Sequence, residues 1–157
     1  MLRRFGIIAV LALLVTAFAA VPVLAQNPHF IRGPFFSDQG TQLLVTGTVA
    51  GLGNEDIDVV VDATGIATVE CINPGGNRAP GQDTTVDVSG EANDVQVKNG
   101  RATFRVLTDE PLVTGAEACP NPAWTADVTE VEFTEATITI FQPAGTNTIV
   151  FEETFEL

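Results

Sequence analysis

Asn54, Asp56 and Asp58 fall at alternating positions, the spacing that oxygen ligands take at the start of a calcium-binding loop. A helix-loop-helix calcium site also needs glycine at its sixth position and glutamate at its twelfth, where this chain has Val59 and Gly65. Ile57, Val59 and Val61 meanwhile alternate with Asp56, Asp58 and Asp62, as residues do on a strand with one wet face. A solvated strand face is therefore the expectation, with a weak calcium site as its rival. Glu130 and Glu132, which alternate with Val131 and Phe133, read the same way, and so does the cluster Glu152, Glu153 and Glu156.

Other chemistries are thinly supplied. A pair of carboxylates, one neutral and one ionised, could hydrolyse a glycosidic bond. Glycosidase clefts are usually rich in aromatic residues, and here a single Trp and no Tyr are available. Nucleophilic catalysis has one histidine, His29, with Ser37 and Ser89 as the serines after residue 25, and no G-x-S-x-G motif. A zinc site of His and Cys ligands fails on ligand count. Gly51-Leu52-Gly53 lacks the Lys and the helix of a phosphate-binding loop. The expectation is a protein without catalysis and without a cofactor.

Cys71 and Cys119 are the two cysteines. In an oxidising compartment they are expected to pair, closing 48 residues of sequence and stabilising the fold by about 4 kcal/mol on a chain-entropy argument. Each adjoins a proline-containing loop, Cys71-Ile72-Asn73-Pro74-Gly75-Gly76 and Cys119-Pro120-Asn121-Pro122-Ala123-Trp124. A loop stiffened by prolines limits the entropy lost on binding, so Pro120, Asn121, Pro122 and Trp124 form a candidate recognition loop. The competing expectation for Trp124 is that it packs over the disulfide as core.

The compartment follows from the start of the chain. Arg3 and Arg4 precede an apolar run to Ala20, and Val21-Pro22-Val23-Leu24-Ala25 supplies a small-residue cleavage site before Gln26. Residues 1–25 are expected to be a signal peptide cleaved on the general secretory route, leaving 26–157 as one domain, secreted and extracellular. A membrane anchor is the alternative, disfavoured by Pro22. Loss of Arg3 and Arg4 takes the net charge from −13 to −15. Such an excess argues against nucleic acid and anionic membrane as partners, because both need a cationic face.

The elements that would position these residues are strands. Residues 26–157 contain 18 Thr, 15 Val and 7 Ile against 6 Leu, and β-branched side chains suit pleated surfaces better than helices. Strand-sized runs recur between turn residues, with a turn expected at Thr64-Gly65 and a hairpin at Asn99-Gly100, a pair suited to the positive φ angles of a type I′ turn. The expected architecture is all-β, a two-sheet antiparallel sandwich of immunoglobulin-like type with one disulfide, and a small β-barrel is the alternative. Val131 and Phe133 share one parity while Ala136, Ile138 and Ile140 share the other. A strand can keep both sets on its core face only by inserting a residue, which predicts a bulge at Thr134 to Ala136.

Several segments together, Ala50-Gly51-Leu52-Gly53-Asn54, CINPGGN with APGQ after it, VKNGRATF, CPNPAW and EFTEATITI, resemble a group of small secreted bacterial proteins. The resemblance spans about His29 to Leu157 and implies export, the disulfide and a β-rich fold. It carries no activity and no site. The function expected is a monomeric or weakly associating exported sandwich with a binding or structural role, its partner an unidentified protein or cell-surface component. Two alternatives stand beside it, a small carboxylate-based hydrolase and an inhibitor presenting its proline-stiffened loop to a protease.

Overall fold

The computed structural model describes residues 26–157, so the expected signal peptide lies outside the described residues. Alternating apolar positions pleat the chain into β1 (His29–Asp38), β2 (Leu43–Ala50), β3 (Ile57–Ile72), β4 (Arg78–Pro80), β5 (Thr84–Val95), β6 (Arg101–Leu107), β7 (Thr125–Phe141) and β8 (Ile149–Glu156). One helical turn, α1 (Gly115–Ala118), interrupts them. The protein is all-β, with one antiparallel sheet in the order β1-β2-β6 and a second in the order β4-β3-β7-β8 with β5 also on β3. Because β7 pairs along β3 from Asp58 to Ile72, β5 and β4 share the opposite edge of β3, one after the other.

The inner faces form one apolar layer. Val45 and Val49 of β2 and Phe104 and Val106 of β6 oppose Val59 and Val61 of β3 and Val131, Ile138 and Ile140 of β7, all buried. Burial of one such side chain contributes about 1.5–3 kcal/mol, which makes this layer the chief source of stability. The two sheets meet at both seams. Phe30 of β1 lies edge-on to Phe151 and Phe155 of β8, with ring centroids 5.3 and 6.2 Å apart. Gly47 leaves room for Phe30, since a Cβ there would come 2.9 Å from its ring. At the other seam the Asp109 N–H donates to the Ser89 carbonyl at 2.8 Å, where Gly90 lets the backbone of Leu107 approach.

The bulge expected in β7 is present. Glu135 pairs with Thr64 and Phe133 with Gly65, so Thr134 is the inserted residue. A second insertion, which sequence parity did not indicate, falls at Thr129 between the pairs Val69–Val128 and Thr68–Glu130. Both threonines donate their hydroxyls to carbonyls of β3, Thr134 to Thr64 at 3.3 Å and Thr129 to Thr68 at 3.2 Å.

Two local expectations change. Thr64-Gly65 is no turn: β3 runs straight through it, and Gly65 sits where a Cβ would come 2.6 Å from a methyl of Val131 and 2.7 Å from the Glu132 carbonyl. The glycine marks close approach of strands rather than chain reversal. Asn99 (φ 53°) and Gly100 (φ 70°) do form the expected tight turn, but its first arm is a single bridge, Lys98 to Arg101. Val97 leaves the ladder and donates its N–H to the Asp56 carboxylate at 3.1 Å.

Candidate functional site

The Asn54–Asp58 segment forms one end of the sandwich. Asp58, on the outer face of β3, accepts the Asp94 N–H at 2.9 Å on one oxygen and the Gly145 N–H at 2.6 Å on the other. Asp56 accepts from Val97, and its own carbonyl accepts the Ala144 N–H at 2.8 Å. The buried side chain of Gln142 accepts the Gly53 N–H at 3.1 Å and donates to the Glu55 carbonyl. The spacing that resembles a calcium loop thus ties three connections together, and among the described residues no three His, Cys, Asp or Glu side chains are grouped to hold a metal.

The other end carries the disulfide. Cys71, fully buried at the end of β3, is bonded to Cys119 directly after α1. At four residues α1 is too short to show an apolar period, yet the sequence carries its capping signature: Thr114 caps the turn, and the Glu117 carboxylate accepts both the Thr114 N–H and its hydroxyl at 2.7 Å. Those two hydrogen bonds, the hydroxyl's first, hold the Glu117 carboxyl below its ordinary pKa. Beyond Cys119, the Asn121 side chain accepts the Ala123 N–H at 2.9 Å and its carbonyl accepts the Trp124 N–H at 3.0 Å. Gly115 packs so tightly under this turn that a Cβ would collide with the Trp124 carbonyl. Of the candidate recognition residues, Pro120, Asn121 and Pro122 are exposed, while Trp124 is half-buried.

The described carboxylates are all at least partly exposed; the buried polar side chains are Thr108, Thr139 and Gln142. A groove of about 510 Å³ in the β1–β8 seam is lined by Phe35, Phe36 and Phe133 with Asp38, Glu132 and Glu156, each of these acids exposed. His29 stands at the start of β1, its ring bonded to the Asn27 carbonyl at 2.8 Å.

Strand pairing divides the charge between the two outer faces. Arg32 of β1, Thr48 of β2 and Thr103 of β6 lie in one row across the three-stranded sheet. The next rows are His29, Ala50 and Arg101 on one side, and Phe35, Thr46 and Arg105 on the other. Ser37, Leu44 and Leu107 complete the face, which carries no carboxylate. The opposite sheet turns Asp58, Asp62, Asp87, Glu130, Glu132 and Glu135 outward. There Arg78 bonds Glu70 at 2.5 Å and Asp127 at 3.0 Å, which raises its pKa further.

Fold and site together define a disulfide-stapled, two-sheet antiparallel β-sandwich with outer faces of opposite charge. No known protein family, characterised protein or solved structure matches the chain. Among the described residues no helix is long and apolar enough to cross a membrane.

Proposed function

We propose that this is an exported, non-catalytic β-sandwich with a binding or structural role outside the cell. The observation that carries the reading is the loop after Cys119. It is held at its base by the disulfide and within by its own Asn121 hydrogen bonds, and it presents Pro120 to Ala123 exposed in succession. A pre-ordered loop of this kind loses little conformational entropy when a partner docks. Export through the general secretory route, with cleavage after Ala25, supplies the oxidising compartment that the disulfide requires.

The loop also supports the second reading, an inhibitor that offers its proline-stiffened segment to a protease. The carboxylate hydrolase requires one buried acid beside an ionised one, and the acids around the seam groove are exposed. The test is a pull-down from the native culture medium with the wild-type protein beside Trp124→Ala and Pro122→Ala. Partners recovered by the wild type and lost from the variants support the reading. Equal recovery by all three removes the loop as the binding surface.

A further inference from the structure

The geometry points to the outer face of the β1-β2-β6 sheet as the docking surface for a single polysaccharide chain bearing carboxylate groups. Arg32, Arg101 and Arg105 project from this face, and Lys98 stands opposite Arg101 across the Asn99–Gly100 turn. Among the described residues the ion pairs are those of Arg78, so these four cations have no carboxylate partner. They are four of the five basic residues after residue 25. The cationic face that the net charge denies to the molecule as a whole is concentrated here.

Arrangement and size select the occupant. Three strands about 4.8 Å apart give a strip roughly 10 Å across, and Arg101 and Arg105, four residues apart on β6, lie about 13 Å from each other along it. A guanidinium binds a carboxylate through two parallel hydrogen bonds, so arginines at such intervals suit a chain with anions at intervals. Between them the face offers what sugar rings use: the hydroxyls of Thr46, Thr48 and Thr103, and the ring of Phe35, 55% exposed. Arg32, Phe35 and these threonines line a shallow dent of about 150 Å³. Asp38 ends β1, and Asp109 and Glu110 follow β6, so the strip is bounded by acids at one end. A nucleic-acid duplex or a folded acidic protein, wider than the strip, would bring its anions against them. A second copy of this chain would bring the acidic five-stranded face, but two strongly anionic molecules repel each other. A narrow single chain avoids both. The inference names a partner class for the proposed binding role and uses a face separate from the Cys119 loop, so its failure leaves the pull-down test of that loop intact.

The experiment measures binding of the protein, as recovered from its producing cells, to polygalacturonate, with neutral dextran and oligothymidylate as comparison ligands. Wild type, Arg101→Gln/Arg105→Gln, Arg32→Gln and, on the opposite sheet, Glu130→Gln/Glu132→Gln are compared. The substituted residues are exposed, and thermal melting checks that each variant is folded. Binding to polygalacturonate should weaken steeply with added salt and fall about tenfold or more in Arg101→Gln/Arg105→Gln, because two charge-assisted contacts are lost. It should fall by less in Arg32→Gln and hold or tighten in Glu130→Gln/Glu132→Gln. Absence of binding at low salt, equal binding of dextran, or an unchanged affinity in the arginine variants overturns the proposal. Equal or tighter binding of oligothymidylate overturns it in favour of nucleic acid. Sedimentation showing self-association of the wild type that the arginine variants lose gives the face to a second copy and overturns it as well.

Discussion

The hydroxyl of Thr134, the residue inserted in β7, donates to the carbonyl oxygen of Thr64 on β3 at 3.3 Å. The inserted residue changes the parity of the strand, so that Val131 and Phe133 before it and Ala136, Ile138 and Ile140 after it all face the core. Deleting Thr134 would turn one of those sets outward. Circular dichroism of the deletion variant should show no cooperative unfolding transition, whereas Thr134→Val, which keeps the insertion, should cost only about 0.5–1 kcal/mol in urea unfolding. A deletion variant that melts like the wild type would mean that the parity change does not organise the core.

The disulfide joins β3 to a segment that otherwise rests on one helical turn. Cys71→Ser/Cys119→Ser should lose about 2–5 kcal/mol, because the unfolded chain regains the freedom of a long loop and a polar hydroxyl replaces buried sulfur at position 71. The measurement is the denaturation midpoint of oxidised, reduced and double-serine protein. Coincident midpoints would contradict it.

Asp58 ties β5 and the β7–β8 turn to β3 through its two oxygens. Asp58→Ala should destabilise by about 1–3 kcal/mol, since it strips two backbone N–H groups of a charged acceptor. Asp58→Asn keeps one acceptor oxygen and should fall between the alanine variant and the wild type. Because these oxygens are occupied by backbone donors, millimolar calcium should leave the melting temperature unchanged. A calcium-dependent rise, as binding to the folded state alone would produce, would restore Asn54, Asp56 and Asp58 as a metal site.

Glu117 gives the helical turn a pH dependence of known sign. Its folded-state pKa is held below the ordinary value by the Thr114 hydroxyl and N–H. Its contribution is therefore complete above the ordinary carboxylate value and is lost as the pH falls through the depressed folded-state value. Carboxyl chemical shifts followed by NMR should titrate Glu117 at lower pH in the wild type than in Thr114→Ala, which removes the hydroxyl donor. A Glu117 that titrates at the same pH in both proteins would refute the capping arrangement.

Local grammar wrote much of this molecule into its sequence. Side-chain branching determined the all-β class, because Val, Ile and Thr at alternate positions select the pleated backbone wherever they occur. The conformational freedom of Asn99-Gly100 placed a turn, and the change of parity in β7 placed the bulge at Thr134. With two cysteines there was one disulfide to form. The tertiary structure decided what depends on which strands become neighbours. Thr64-Gly65 resembles a turn until β7 is seen lying against Gly65, and the insertion at Thr129 leaves no mark in the apolar pattern because the residues before it are half-buried. Asp58 finds its donors 36 and 87 residues away, so its spacing from Asp56 carried no information about them. The acidity of the chain was legible as a sum, but its division was not. Arg32 meets Arg101 and Arg105 on one face only because β2 pairs with both β1 and β6, and a net charge cannot record which residues share a surface.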